Sequence, residues 1–218
     1  MAGRVAIDFG TSNTRIAIWD SSKGEAQPLF IPDIAVSANY KYDGKSQESI
    51  YYIPSLIHYD NNRILIGKQV MSNNVLHSQS TFKWIKKYIS NRLELPRQIG
   101  SKRIKFTDAG ADFLEQVLNY INGITGITDE EIAFTVPIES YEHYQDWFSR
   151  VCEQAGITRW RLLDEASAAA LGYNINIQAN DVYMVFDFGG GSGCADATGC
   201  LQPGEPGGCA ELRAGRDI

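Results

Sequence analysis

An apolar run, Val5-Ala6-Ile7, ends on Asp8. After Phe9 and Gly10 come three small hydroxyl or amide residues, Thr11-Ser12-Asn13, and an apolar alternation then resumes, with Ile16 and Ile18 set against Ala17 and Trp19. The pattern predicts strand, tight loop, strand. Pro28 to Ile31 predicts a third short strand, and the polar stretch from Asp33 to Ser49, turn-rich around Asp43-Gly44-Lys45, predicts a loop or the entrance to an inserted subdomain. Two further strands are expected at Ile50 to Ile57 and Ile64 to Ile66, with Pro54 suited to an edge. Val70 to Arg92 has an irregular helical pattern. Beyond it Thr107 can cap a helix carrying Leu114, Val117, Leu118 and Ile121 at spacings of three and four, ended by Gly123.

The continuous apolar run Ile132 to Val136, stopped by Pro137, reads as a buried parallel strand. A helix follows with Tyr144, Phe148, Val151, Cys152 and Ala155 on one face and Gly156 at its end. Leu162-Leu163 is brief and apolar, Glu165 to Gly172 is an alanine-rich helix, and Val182 to Phe186 is a last strand. Strands alternating with helices after an antiparallel meander indicate an α/β layered domain. In such domains ligand loops lie at the carboxyl ends of strands, where Asp8 and Asp187 both fall.

Composition narrows the classes. The chain has 218 residues, 44% of them hydrophobic, enough for a packed core, and a net charge of −6. Lys83, Lys86 and Lys87 form the only local basic cluster, so a nucleic-acid face is not expected. No apolar stretch reaches the length of a membrane span and no signal-peptide core follows the N-terminus, which together predict a cytoplasmic protein. Of the four cysteines, Cys152 falls in a helical pattern, while Cys194, Cys200 and Cys209 match no common zinc spacing and have no histidine nearby.

The chemistry of the first loop suits a polyphosphate. Gly10 lets backbone approach closely, the N–H groups of Thr11 to Asn13 can point at oxygens, and Asp8 can hold a hydrated cation. An ordinary hairpin turn uses the same residue types. Internal repetition separates the two readings: Val5 to Ser12 (VAIDFGTS) recurs as Met184 to Ser192 (MVFDFGGGS). Two such loops facing each other would hold one anionic ligand and its metal from opposite sides.

With these motifs in order, roughly residues 3 to 192 resemble the actin-like ATPases, and within them the seventy-kilodalton heat-shock chaperones. Val5 to Thr14 looks like the family's first phosphate loop and Phe134-Thr135-Val136-Pro137 like its strand-then-proline segment. Arg161 to Tyr173 (RLLDEASAAALGY) is similar to its most recognisable block, and Val185 to Ser192 looks like its second phosphate loop. The resemblance implies a ribonuclease H-like, actin-like fold: a mixed sheet flanked by helices with a small inserted α+β subdomain. The core subdomain would comprise residues 1–35 and 127–192 and the insertion about 36–126.

It implies ATP or ADP with Mg²⁺ as cofactors. Asp8 and Asp187 would hold the metal through water, and Gly10, Thr11, Ser12 and Asn13, with Gly189, Gly190, Gly191 and Ser192, would donate to phosphate oxygens. Glu165 would help order the attacking water; alternatively it is a helix N-terminal carboxylate complementing the dipole. One lysine would stabilise charge near the γ-phosphate, with Lys83 the better positional match and Lys86 the fallback, and either also reads as a solvated helix lysine. Pro137 and Arg161 resemble a pair relaying nucleotide state. The implied reaction is hydrolysis of the terminal phosphate by an oriented water, for a chaperone acting on polypeptide clients with co-chaperones. An actin-like filament or scaffold ATPase and a sugar or polyol kinase of the same superfamily are the alternatives.

The likeness stops after Ser192. Cys194 stands where the family has an acidic residue, and residues 193–218 are dense in Gly, Pro and Cys. A second acidic hairpin at Asp187 calls for a second lobe, so the expectation is one lobe and a stub of a larger ATPase, with weak nucleotide binding and negligible turnover by itself.

Overall fold

The computed structural model describes residues 5–42, 46–60, 63–125, 131–138, 141–172, 182–183 and 199–200. In chain order the elements are β1 (Val5–Phe9), β2 (Asn13–Asp20), β3 (Glu25–Pro28), β4 (Val36–Tyr42), β5 (Ser46–Pro54), β6 (Ile57–Asp60), β7 (Arg63–Ile66) and α1 (Lys68–Ser72). There follow β8 (Thr81–Phe82), α2 (Ile85–Ser90), β9 (Arg97–Ile99), β10 (Lys102–Ile104), α3 (Phe106–Thr125), β11 (Ile132–Val136), α4 (Tyr141–Gln154), β12 (Trp160–Asp164) and α5 (Glu165–Gly172). A short β13 (Val182–Tyr183) pairs with β14 (Gly199–Cys200).

The main sheet runs β12-β11-β1-β2-β5-β4, with β3 also paired to β2. Strands β12, β11 and β1 are mutually parallel, with Ile7 beside Phe134 and Phe134 beside Leu162, whereas β1, β2, β5 and β4 are antiparallel. Parallel neighbours need a crossover, and α4 supplies it between β11 and β12. The result is the mixed α/β sheet flanked by helices that the sequence predicts.

Alternation along the strands decides which face is buried. Val5, Ile7 and Phe9 of β1, Ile16 of β2, and Ile132, Phe134 and Val136 of β11 point into one apolar core with Phe113, Val117, Trp147, Phe148 and Cys152 of α3 and α4. Phe9 meets the rings of Phe113 and Trp147 at 5.9 Å each, and Phe134 meets Phe148 at 4.5 Å. Burying side chains of this size stabilises by about 1.5–3 kcal/mol each. The helices owe their close approach to Gly110, where a β-carbon would lie 2.9 Å from both Ile85 and Trp147. Helix α2 is thereby drawn in beside α3 and α4.

Several boundaries differ from the sequence expectation. The third strand is Glu25–Pro28, earlier than Pro28 to Ile31, because its pairing with β2 follows from the hairpin turn at Asp20 to Gly24. The polar stretch after Asp33 contains β4, paired among the described residues with β5 alone; its Val36, Ala38, Tyr40 and Tyr42 alternate with Ser37, Asn39 and Lys41, a period of two that the expectation of a loop passed over. The irregular pattern from Val70 to Arg92 resolves into the end of α1, β8 and α2. Helix α3 starts at Phe106, ahead of Thr107: the Lys105 N–H donates to Asp108 Oδ2 at 3.1 Å, the reciprocal half of a capping box. It also continues through Gly123 to Thr125.

Candidate functional site

Because β1, β11 and β12 are parallel, the residues that follow their carboxyl ends come out side by side. Gly10 follows β1, Pro137 follows β11, and Glu165 follows β12. Two strand spacings separate the first from the last, about 10 Å.

Asp8 is on the exposed face of β1, and its Oδ1 accepts a hydrogen bond from Thr135 Oγ1 of β11 at 2.7 Å. The turn that follows is closed tightly. Gly10 N–H donates to the Asn13 carbonyl at 3.1 Å, and a β-carbon at Gly10 would lie 2.3 Å from that oxygen. Ser55, buried after β5, fastens the turn from outside: its Oγ donates to the Gly10 carbonyl at 2.8 Å and its N–H to the Ser12 carbonyl at 2.9 Å. Thr14 Oγ1 lies 3.0 Å from the same Ser55 hydroxyl. The carbonyls of the turn are thus tied back into the protein. The N–H groups of Thr11 and Ser12 donate to no acceptor among the described residues.

The second half of the site comes from α2 and α5. Lys86 is only 6% exposed, and its Nζ donates to Glu165 Oε1 in an ion pair across 79 positions of sequence. Its backbone is fixed as well, since the fully buried Tyr144 donates its hydroxyl to the Lys86 carbonyl at 2.9 Å and lies 2.8 Å from Ser90 Oγ. Burial pushes the Tyr144 phenol well above its ordinary range, and the charge of Glu165 adds to that. At the start of α5 the capping role belongs to Asp164, whose Oδ2 accepts from Ser167 N–H at 2.7 Å, while the Glu165 carboxylate turns to Lys86.

Lys83 stands elsewhere. Its Nζ is 4.6 Å from the centre of the Trp84 ring, and it forms no ion pair among the described residues. Trp84 itself is 47% exposed and has the left-handed backbone (φ 58) that bulky residues rarely adopt. Pro137 is at the carboxyl end of the sheet, whereas Arg161 pairs with Glu131 near the amino ends of β11 and β12, so the two do not adjoin. Asp187 and Gly189 to Ser192 lie outside the described residues, as do Cys194 and Cys209.

The residues present fit a hydrated divalent cation and a phosphate. Mg²⁺ keeps several of its waters and takes one or two carboxylates. Among the described residues no cluster of His, Cys, Asp and Glu forms a ready metal cage, while Asp8 offers a carboxylate beside backbone donors that have no protein acceptor. Thr135, Ser55 and Tyr144 carry the geometry and were given no role in the site by the sequence, which placed Tyr144 on the apolar face of its helix. Thr135 lies inside the motif containing Pro137, but nothing in the local sequence marks Ser55 or Tyr144 as serving this site.

At one end of this mixed sheet stand the acid and glycine turn of the first hairpin and a buried lysine paired with a glutamate, the arrangement that the resemblance to actin-like ATPases implies. The family model described as MreB/Mbl protein matches residues 81–196, over half of the sequence, and the chain belongs to this family of actin-like ATPases. Along most of its length it is also similar to heat-shock chaperones of the seventy-kilodalton class. The chaperone protein DnaK of Deinococcus radiodurans is 24% identical over 212 residues, covering 88% of this chain and 31% of the relative. DnaK of Thermus thermophilus is 24% identical with coverages of 88% and 32%, and the HscA homolog of Shewanella frigidimarina is 23% identical with coverages of 86% and 31%. The chain spans about a third of the length of these curated relatives. No helix among the described residues is long and apolar enough to cross a membrane.

Proposed function

We propose that the chain is the phosphate-binding lobe of an ATP-hydrolysing, heat-shock-chaperone-like protein. The observation that carries this reading is the pairing of buried Lys86 with Glu165, set at the same sheet end as the Asp8 carboxylate and the Gly10 turn. In this reading Asp8, with Asp187, holds hydrated Mg²⁺, and the N–H groups of Thr11 and Ser12, with those of Gly189 to Ser192, bind phosphate oxygens, while the Gly10 N–H closes the turn on the Asn13 carbonyl. Lys86 takes the lysine role in preference to Lys83, because it is the lysine held against Glu165. Glu165 orders the attacking water. When bound, Mg²⁺ supplies neutralisation of charge on the phosphates; the protein positions the reactants. Similarity to DnaK and HscA supports polypeptide clients, co-chaperones and a cytoplasmic setting for the protein that contains this lobe.

Single-turnover ATP hydrolysis by the protein that carries this chain tests the assignment. Lys86→Met is expected to lower the rate by about 10²–10³-fold, the usual effect of losing one preorganised charge donor, and Lys83→Met to leave it within about two-fold. The opposite ranking would overturn the lysine assignment, and undiminished hydrolysis in both variants would overturn the site.

The MreB/Mbl match supports a second reading, an ATPase that assembles into filaments or scaffolds. ATP-dependent sedimentation of the same protein favours it, and a supernatant unchanged by ATP excludes it.

A further inference from the structure

The Lys86–Glu165 pair has a property that positioning alone does not require. Lys86 has lost nearly all of its water, with its side chain 8% exposed, whereas that of Glu165 is 25% exposed. A buried ammonium needs a counter-charge, because taking one partner away leaves an uncompensated ion in a poor solvent. Without a ligand, the Glu165 carboxylate meets that need. A phosphate oxygen approaching Lys86 therefore meets an occupied partner.

The two sides are not equally fixed. Lys86 is held by the Tyr144 hydroxyl on its carbonyl and by the fully buried Ile85 and Ile89 around it. Glu165 is the first residue of α5, a helix whose only buried residue is Ala170. Asp164 caps that helix independently, so α5 keeps its start when Glu165 lets go. Exchange moves the glutamate and leaves the lysine in place.

We infer that Glu165 is the resident counter-ion of Lys86 and yields it to a phosphoryl oxyanion, making the pair a specificity gate for multiply charged oxyanions. A neutral ligand cannot replace the carboxylate without leaving the buried ammonium uncompensated, and a singly charged one only matches the charge that Glu165 already supplies, so the advantage belongs to a phosphoryl group with two or more charges. Release of Glu165 then coincides with seating of the phosphate, so the carboxylate becomes available to a water only once a phosphoryl group is present. The inference rests on the phosphate-site reading above.

The test is titration of this chain with inorganic pyrophosphate at fixed ionic strength, followed by amide and lysine Nζ chemical shifts and by melting temperature. Glu165→Gln is expected to melt below the wild type without ligand and to bind pyrophosphate at least five-fold more tightly, because the internal competitor is gone. The double variant Lys86→Met/Glu165→Gln is expected to recover much of the lost melting temperature and to lose the Glu165→Gln gain in affinity. Chloride at matched ionic strength is expected to shift none of the three. If Glu165→Gln does not fold, Glu165→Asp keeps the charge on a shorter arm and is expected to bind at least two-fold more tightly than wild type. Wild-type binding with no gain in Glu165→Gln, or weaker binding in Glu165→Asp, overturns the gate and leaves the phosphate site standing. Absence of binding in the wild type and in every variant overturns both.

Discussion

Lys83 and Lys86 lie close together in one motif, yet one is stacked on an exposed indole and the other is sealed beside a glutamate. Residue type and local spacing do not tell them apart; the difference is made by Gly110, Tyr144 and the neighbouring helices, which draw α2 inward. Asp8 was legible because its neighbours in sequence, Gly10 and Thr11, are also its neighbours in space. The half-buried Asp112 shows how environment sets behaviour. The Tyr59 hydroxyl donates to Asp112 Oδ2 at 2.6 Å, and burial raises the Asp112 acid above its ordinary 3.8, with Asp108 adding to the effect. A carboxyl raised in the folded state contributes stability below the unfolded value and loses it as pH climbs through the folded one. Asp112→Asn, which still accepts from Tyr59, is therefore expected to gain in melting temperature relative to wild type between pH 4 and pH 7. A difference between the two proteins that stays flat or falls over that range contradicts the assignment.

Elements were legible in proportion to how strongly burial patterns them. Residues of β1, β11, α3 and α4 that face the core follow periods of two or three to four, so these elements stood out. Strand β4 has the period of two, but Val36, Ala38, Tyr40 and Tyr42 include one aliphatic residue larger than alanine, so its alternation was masked by the polar residues between and after them. Helices α1 and α2, of five and six residues, are too short to establish a period and depend on tertiary contacts. The attachment of α2 to α4 is accordingly a tertiary feature: His143 Nε2 lies 2.9 Å from the Ile89 carbonyl, and Tyr144 bonds the Lys86 carbonyl and Ser90. Tyr144→Phe removes the hydroxyl and leaves the ring. It is expected to lower stability in chemical denaturation by about 1–2 kcal/mol, the usual result of losing a buried hydrogen bond, and to increase acylation of Lys86 by a lysine reagent. A stability loss without any change at Lys86 would reduce Tyr144 to a packing residue.

At the scale of the molecule, one apolar core runs from Val5 to Cys152 and includes Ile53, Ile57, Phe82 and Phe106 from the stretch expected to form an inserted subdomain. That shared core holds the Gly10 turn, fastened through Ser55, and the Lys86 helix in fixed relation to the carboxyl ends of β11 and β12. Sequence repetition pointed to this end of the sheet through Asp8 and Asp187, of which the structure describes Asp8. The matching family and the chaperone relatives agree on the actin-like ATPase class. In the function proposed above, this sheet end binds phosphate with a hydrated cation. The most direct test is an amide-resolved NMR titration of the chain with ATP, with and without Mg²⁺, in wild type and Asp8→Asn. Mg²⁺-dependent shifts are expected to concentrate at Gly10 to Asn13, Ser55, Lys86 and Glu165, with the Mg²⁺ dependence lost in Asp8→Asn. Shifts centred elsewhere, or an Asp8→Asn variant that responds to Mg²⁺ and ATP as the wild type does, would contradict it.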